Sequence, residues 1–239
     1  MTTIAWVFAR GGSRGIKRKN LRTVGGIPLL GHAIRQAQAA TLVHDVIVST
    51  EDAEIAAVAI KYGAGVIDRP AELATDDAPE WSCWQHAVRT YAEHFEPDMG
   101  LFVSVPCTSP LRLPEDINNA IRALTFDAQE VVTVTPARRN PWYNMVTIHP
   151  YTGWVYTAAY NGQNYERRQD APAVYDMTTV CYVARPAHIL AAPRMMMPGK
   201  TRAIVVPPER AIDIDTELDL RIADMLMTER QWALGERVE

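Results

Sequence analysis

The stretch from Ala9 to Asn20 reads Ala-Arg-Gly-Gly-Ser-Arg-Gly-Ile-Lys-Arg-Lys-Asn, which sets Arg10, Arg14, Lys17, Arg18 and Lys19 among glycines. Glycine lets the backbone fold closely around a ligand and turn successive N–H groups inward, so this loop is a candidate anion nest. It follows Ile4 to Phe8, an apolar run without alternation that predicts a strand covered on both faces. Open α/β sheets bind nucleotides at the carboxyl ends of such strands. The spacing fits neither the P-loop nor the dinucleotide fingerprint. A solvated basic turn is the plain alternative, but it would have no need of Gly11-Gly12-Ser13 packed between cations.

A second chemical pattern lies near the other end. Ile212 and Ile214 alternate with Asp213 and Asp215, the period of a short extended segment. Both carboxylates then share one face and could hold Mg²⁺ (or Mn²⁺), a hard cation that takes one or two carboxylates plus phosphate oxygens. The competing reading is that Asp215 or Thr216 merely caps the following helix.

The elements around these patterns alternate. Strands are predicted at Ile4–Phe8, Val43–Thr50, Leu101–Val105 and Glu130–Thr135, with another that begins at Val66-Ile67 and ends at Arg69-Pro70. Between them lie helices at Leu29–Ala40, Asp52–Tyr62, Glu80–Phe95 and Pro114–Leu124. Connections this short fit only a layered α/β sheet. From Pro136 to Pro172 the chain turns rich in Trp, Tyr, Asn and Arg. Strand-like pieces at Met145–His149 and Trp154–Ala158 suggest an antiparallel excursion. Val180–Ala184 rejoins the sheet, and Ala203–Val206 and a helix at Thr216–Met227 complete it. One domain, residues 1–239, with an inserted arm at about 136–178 is the economical reading.

Composition narrows the partners. A hydrophobic share of 48% against 22% charged residues supplies a sizeable core. The net charge of −4 argues against a broad basic surface for nucleic acid, though not against a nucleotide. Cys83, Cys107 and Cys181 lie far apart without a CxxC pair, which suits buried thiols in a reducing compartment. The histidines show no ligand spacing. No secretory signal and no membrane span are legible, so a soluble, cytoplasmic protein is expected.

At this level of detail the sequence resembles a known family. Ala9 to Ile34, opening ARGGSRGIKRKN, is similar to the start of the N-acylneuraminate (CMP-sialic acid) cytidylyltransferases, whose loop typically reads ARGGSKGI followed by KN. Arg69-Pro70-Ala71-Glu72-Leu73-Ala74, then Asp76, resembles the family's RPxELA segment. Thr108-Ser109-Pro110-Leu111-Arg112 matches its TSPLR turn, and Asp213-Ile214-Asp215-Thr216 its DIDT motif. Arg14 stands where lysine is usual. Pro106 replaces a customary glutamine, and Thr178-Thr179 replaces Asn-Gly after Arg168-Gln169.

The resemblance implies a three-layer, Rossmann-like nucleotidyltransferase fold with a mainly parallel sheet and an antiparallel dimerisation arm. It implies an enzyme that couples CTP to an acidic sugar, releasing pyrophosphate. Ala9, Arg10, Gly11, Gly12, Ser13, Asn20, Thr108, Ser109 and Arg112 would line the nucleotide site. Arg10, Arg14 and Lys19 would neutralise its phosphates, and Asp213 and Asp215 would hold the metal. Arg167 and Arg168 are candidates to meet the acceptor's carboxylate, or else form a surface or dimer salt bridge, and Gln169 belongs to the implied sugar-binding segment. The aromatic arm fits a homodimer interface. Another 3-deoxy-ulosonic acid as acceptor, a nucleotide-sugar glycosyltransferase, and a non-catalytic nucleotide-binding relative are the alternatives.

Overall fold

The computed structural model describes residues 2–13, 15–95, 99–196 and 198–234, so Arg14 lies outside the described residues. β1 (Thr2–Phe8) enters the glycine-rich loop, which closes in a 3₁₀ turn at Lys19–Leu21 and a small hairpin of β2 (Thr23–Val24) and β3 (Ile27–Pro28). The alternation then runs α1 (Leu29–Ala39), β4 (Asp45–Thr50), α2 (Ala53–Lys61), β5 (Gly65–Asp68), α3 (Glu80–His94), β6 (Met99–Ser104), α4 (Pro114–Ala123) and β7 (Glu130–Pro136). An excursion follows with its own antiparallel pair, β8 (Val146–Ile148) and β9 (Val155–Thr157). The chain returns through β10 (Tyr175–Ala184), α5 (Pro186–Ala191), β11 (Thr201–Val205) and α6 (Glu217–Leu234).

The main sheet has the order β11-β7-β10-β6-β1-β4-β5. Only β10 runs antiparallel to its neighbours, so the mainly parallel α/β sheet expected from the sequence is the one formed. The apolar run in β1 is explained by two cores. Ala5 and Val7 pack with α1, α2, α4 and α6, whereas Ile4 and Trp6 pack with α3 and α5. A strand with both faces buried has no side for polar residues. Trp6, Phe102, Trp84 and Tyr91 form the aromatic centre of the second core, with ring centroids 4.9–6.2 Å apart.

β10 begins at Tyr175 rather than Val180, because Tyr175–Thr178 pair with Pro136–Thr133 of β7 although Tyr175, Asp176 and Met177 are exposed. Pairing resumes only at Tyr182, opposite Val132, so Thr179, Val180 and Cys181 bulge out of the ladder. Among the described residues no helix is long and apolar enough to cross a membrane.

Candidate active site

The carboxyl ends of β1, β5 and β6 and the β10 bulge open onto one pocket of about 470 Å³, a volume suited to a nucleotide. Its wall contains Arg10, Ser13, Gly15, Lys19 and Asn20 from the N-terminal loop, Arg69 and Glu80, Thr108, Thr179, and both Asp213 and Asp215. Motifs nearly two hundred residues apart thus meet in one place.

The loop is braced from outside. Arg18, in the left-handed region at φ 55°, points away from the pocket to Asp52, one of whose bonds is 2.9 Å, and to Glu54 at 2.5 Å. The Gly11 N–H donates to Glu51 Oε1 at 2.7 Å, and the Ala9 N–H to the Ser49 carbonyl at 3.1 Å. Asn20 Nδ2 closes the turn on the Arg10 carbonyl at 3.0 Å. Ala9, Gly11 and Gly12, expected to line the site, therefore stand off its wall, since the first two N–H groups serve the scaffold. Of the described loop cations only Arg10 and Lys19 reach the pocket, and Arg10 rests on Asp76 at 2.6 Å.

The brace has a pH signature. Hydrogen bonds from Arg18, then those from the Ile55 and Glu54 amides, hold the Asp52 carboxyl down to about 2, against about 3.9 for an unperturbed aspartate. A folded-state value below the unfolded one contributes stability above about pH 4 and loses it as pH falls through about 2. Asp52→Asn retains a helix cap but removes the charge, and should cost about 1 kcal/mol at pH 7, a figure reduced for solvent screening. Thermal melts across this range check it: wild-type and variant curves that stay parallel from pH 7 to pH 2 would refute the assignment.

At the far end, Thr216 and Asp219 form the cap of α6. The Thr216 N–H donates to Asp219 Oδ2 at 2.7 Å, and the Asp219 N–H to Thr216 Oγ1 at 3.3 Å. Capping therefore does not consume the Asp213 side chain or that of Asp215. Asp215 Oδ1 accepts from Lys19 Nζ at 3.1 Å, and the same ammonium donates to the Ile214 carbonyl at 2.8 Å. Asp213 Oδ1 is buried without a hydrogen-bond partner. A buried carboxylate oxygen left unmatched is costly unless something else meets it. Three cations and four carboxylates line the pocket among the described residues, too few positive charges for a triphosphate. Among the described residues no cluster of three metal-ligating side chains occurs. The donor set fits a Mg²⁺ ion held by Asp213 and Asp215 and completed by phosphate oxygens.

The TSPLR turn divides its work. Thr108 lines the pocket, and its carbonyl accepts from the Ile214 N–H at 2.9 Å. Ser109 and Arg112, expected as nucleotide ligands, are wholly buried beneath the floor. Ser109 Oγ bonds Thr179 Oγ1 at 2.7 Å. Arg112 Nη2 donates to the Pro106 and Thr179 carbonyls, the latter at 3.1 Å. Desolvation brings the Arg112 guanidinium down to about 10. Its function is to tie β6 to β10. Arg112→Met should destabilise the fold by about 3 kcal/mol, because buried carbonyls lose their donors. Chemical denaturation measures this; an unchanged unfolding midpoint would return Arg112 to ligand binding.

Arg167, Arg168 and Gln169 do not join this pocket within the chain. Arg167 pairs with Asp170 at 2.7 Å, and Arg168 donates to the Ala137 carbonyl. Arg168 and Gln169 line a second cavity of about 370 Å³ at the base of the excursion, with Asn140 and Tyr175. The reason is position in the sheet: the excursion springs from the end of β7, which β10 separates from β6, whereas the pocket opens at the ends of β1, β5 and β6.

Gly15, Arg69 and Glu80 line the pocket but carried no assignment from sequence. Arg69 lay in plain view within the RPAELA segment. It is buried, donates to the Ser49 carbonyl at 2.6 Å, and meets no carboxylate at ion-pair distance among the described residues. Glu80 opens α3 and accepts from Trp84 Nε1 at 3.2 Å, and nothing in its sequence context marks it. The three thiols are buried; burial pushes Cys107 and Cys181 up to about 12, so neither is a thiolate nucleophile at neutral pH.

Comparison with known proteins agrees with this geometry. The sequence profile described as cytidylyltransferase matches residues 4–185. A CMP-N,N'-diacetyllegionaminic acid synthase of Campylobacter jejuni is 34% identical over 225 residues, covering 93% of each chain. The post-translational flagellin modification protein B of Campylobacter coli is 31% identical over 227 residues, covering 94% of each. A solved structure of CMP:2-keto-3-deoxy-manno-octonic acid synthetase complexed with CTP superimposes with a TM-score of 0.71. It covers 96% of this chain and all of its own at 15% identity, which shows the shared fold. The chain belongs to the cytidylyltransferase family, in its CMP-sialic acid synthetase-like branch.

Proposed function

We propose that the protein joins CTP to an N-acylneuraminate-like acidic sugar in a Mg²⁺-dependent reaction, giving a CMP-sugar and pyrophosphate. The observation that carries this reading is the meeting of the Arg10–Asn20 loop with Asp213 and Asp215 in one pocket, joined by Lys19. The anomeric hydroxyl oxygen of the sugar forms a bond to the α-phosphorus and gives up its proton to solvent, while the bond from that phosphorus to the oxygen bridging to the β-phosphorus breaks and pyrophosphate leaves. Arg10 and Lys19, with Arg14 beside them in sequence, offset charge on the phosphates, and Arg69, anchored on Ser49, adds a buried positive charge. When bound at Asp213 and Asp215, Mg²⁺ supplies charge neutralisation and Lewis acidity at the phosphate oxygens. Positioning of the two substrates accounts for much of the remaining acceleration.

The acceptor's carboxylate needs a cation, and Arg167 and Arg168 lie on an excursion with Ile148, Tyr151, Trp154 and Tyr156 exposed. Such aromatic density suits an interface. In this reading the protein is a cytoplasmic homodimer whose arm crosses to the partner's pocket. Trp154→Asp should yield monomers by sedimentation and raise the KM for the sugar about a hundredfold, the effect of a lost interface anchor. A dimeric variant with ordinary KM would exclude the arm from both roles.

Pyrophosphate release from a panel of nucleoside triphosphates and acidic sugars tests the function itself. N,N'-diacetyllegionaminic acid, the product portion named for two relatives, belongs in the panel beside N-acylneuraminates and eight-carbon 3-deoxy-ulosonic acids. CTP with a nine-carbon acid should give the highest kcat/KM. Binding of CTP and Mg²⁺ without turnover on any member would indicate a non-catalytic relative.

A further inference from the structure

Thr133 lies wholly buried in β7 and does not line the pocket. Its hydroxyl is nevertheless the hub of the β10 bulge. Thr133 Oγ1 stands 3.0 Å from the Cys181 carbonyl oxygen and 3.2 Å from that of Thr178. It also accepts from Thr178 Oγ1 at 2.8 Å and from the Cys181 N–H at 3.2 Å. A hydroxyl has one proton and two lone pairs, so it serves one carbonyl at a time while both acceptor positions are filled. Two of the backbone groups it meets belong to Cys181, inside the three-residue bulge, and the third is the carbonyl of Thr178, the last paired residue before it. Buried peptide groups without partners are strongly unfavourable, so this hydroxyl stands in for the missing ladder bonds.

The other side of the bulge faces the pocket. Thr179 Oγ1 accepts from Thr108 Oγ1 at 3.0 Å and lies 2.7 Å from Ser109 Oγ. When Ser109 donates as well, the Thr179 proton is left for a ligand. Without the bulge Thr179 would fall opposite Val132, the place now taken by Tyr182. Thr179 also marks a flank. β10 begins at Tyr175, which lines the second cavity with Arg168 and Gln169, while Arg69 follows β5 at the opposite edge of the sheet.

We propose that Thr133 is a positioning residue for acceptor recognition: it holds the β10 bulge that presents the Thr179 hydroxyl to a hydroxyl or amide group of the acidic sugar. This rests on the reading of the pocket as a CMP-sugar synthetase site. Thr179 touches the substrate, and Thr133 acts only through it.

The test is steady-state pyrophosphate release by the full chain, varying CTP and sugar separately, with Thr133→Val, Thr133→Ser and Thr179→Val. Thr133→Val, close in shape but lacking the hydroxyl, should raise the KM for the sugar about tenfold, the scale of one lost hydrogen bond. The KM for CTP should stay within about twofold of wild type, and Thr133→Ser should restore the sugar KM. Thr179→Val should reproduce the rise in sugar KM while the KM for CTP stays within about twofold of wild type. Equal rises in both KM values, or failure of serine to restore, would mean that Thr133 is structural only. Should Thr133→Val not fold, Thr179→Val decides alone, and an unchanged sugar KM overturns the proposal. Wild-type protein that turns over no acidic sugar sinks the functional reading and this inference with it, whereas normal wild-type turnover with unaffected variants sinks this inference alone.

Discussion

Asp213→Asn is expected to lower kcat for pyrophosphate release by about 10²–10³, the range seen when one preorganised electrostatic contact is removed from a site. The exchange keeps the shape of the side chain and removes its charge. Asp213 Oδ1 is buried without a hydrogen-bond partner, so the variant should fold at least as readily as wild type. That separates the loss from instability, and an unchanged melting temperature is part of the prediction. A neutral amide does not hold a hard cation as a carboxylate does. Titration of CTP by calorimetry, with and without Mg²⁺, should show that the metal no longer tightens binding. Asp215→Asn should act differently, because Asp215 also receives the Lys19 ammonium. It should weaken both the metal and the join between the loop and the C-terminal motif. Near-wild-type turnover by both variants under saturating Mg²⁺ would remove the metal assignment.

Gly15→Ala should cost about a hundredfold in kcat/KM while leaving the fold intact. A Cβ at Gly15 would overlap the carbonyl oxygen of Asp215, which is backbone and cannot swing aside. The strain is relieved only by parting the N-terminal loop from the segment that carries both aspartates. Lys19 then loses its reach to Ile214 and Asp215, and the phosphates and metal no longer share one frame. Misplacement by about 1 Å is enough for a loss of this size. Gly12→Ala is the control, since nothing lies within 4 Å of a Cβ there. Equal activity of the two variants would show that the close approach at Gly15 carries no function.

Local signals account for what was legible in advance. β1, β4, β6 and β7 announce themselves as short apolar runs, and α1 to α4 by helical spacing, because each property repeats within a few residues. The glycine-rich loop and the paired aspartates were equally visible, since their chemistry is written in neighbouring residue types. The same local view placed Arg112 among the nucleotide ligands and left Arg18 unassigned among the loop cations. Nothing near them in sequence tells that one is spent on two buried carbonyls and the other on Asp52. It also began β10 too late, because the pairing of Tyr175–Thr178 depends on a partner strand rather than on their own polarity.

By sequence alone the N-terminal loop reads as a nucleotide-binding element, because glycines and cations gather at the end of a buried strand. What only the tertiary structure decided is which of its described cations line the pocket, that Gly15 rather than Gly11 meets the aspartate segment, and that a bulge brings Thr179 alongside Thr108. Those outcomes depend on contacts between residues far apart in the chain, and such contacts are set by packing and hydrogen-bond satisfaction across the whole fold.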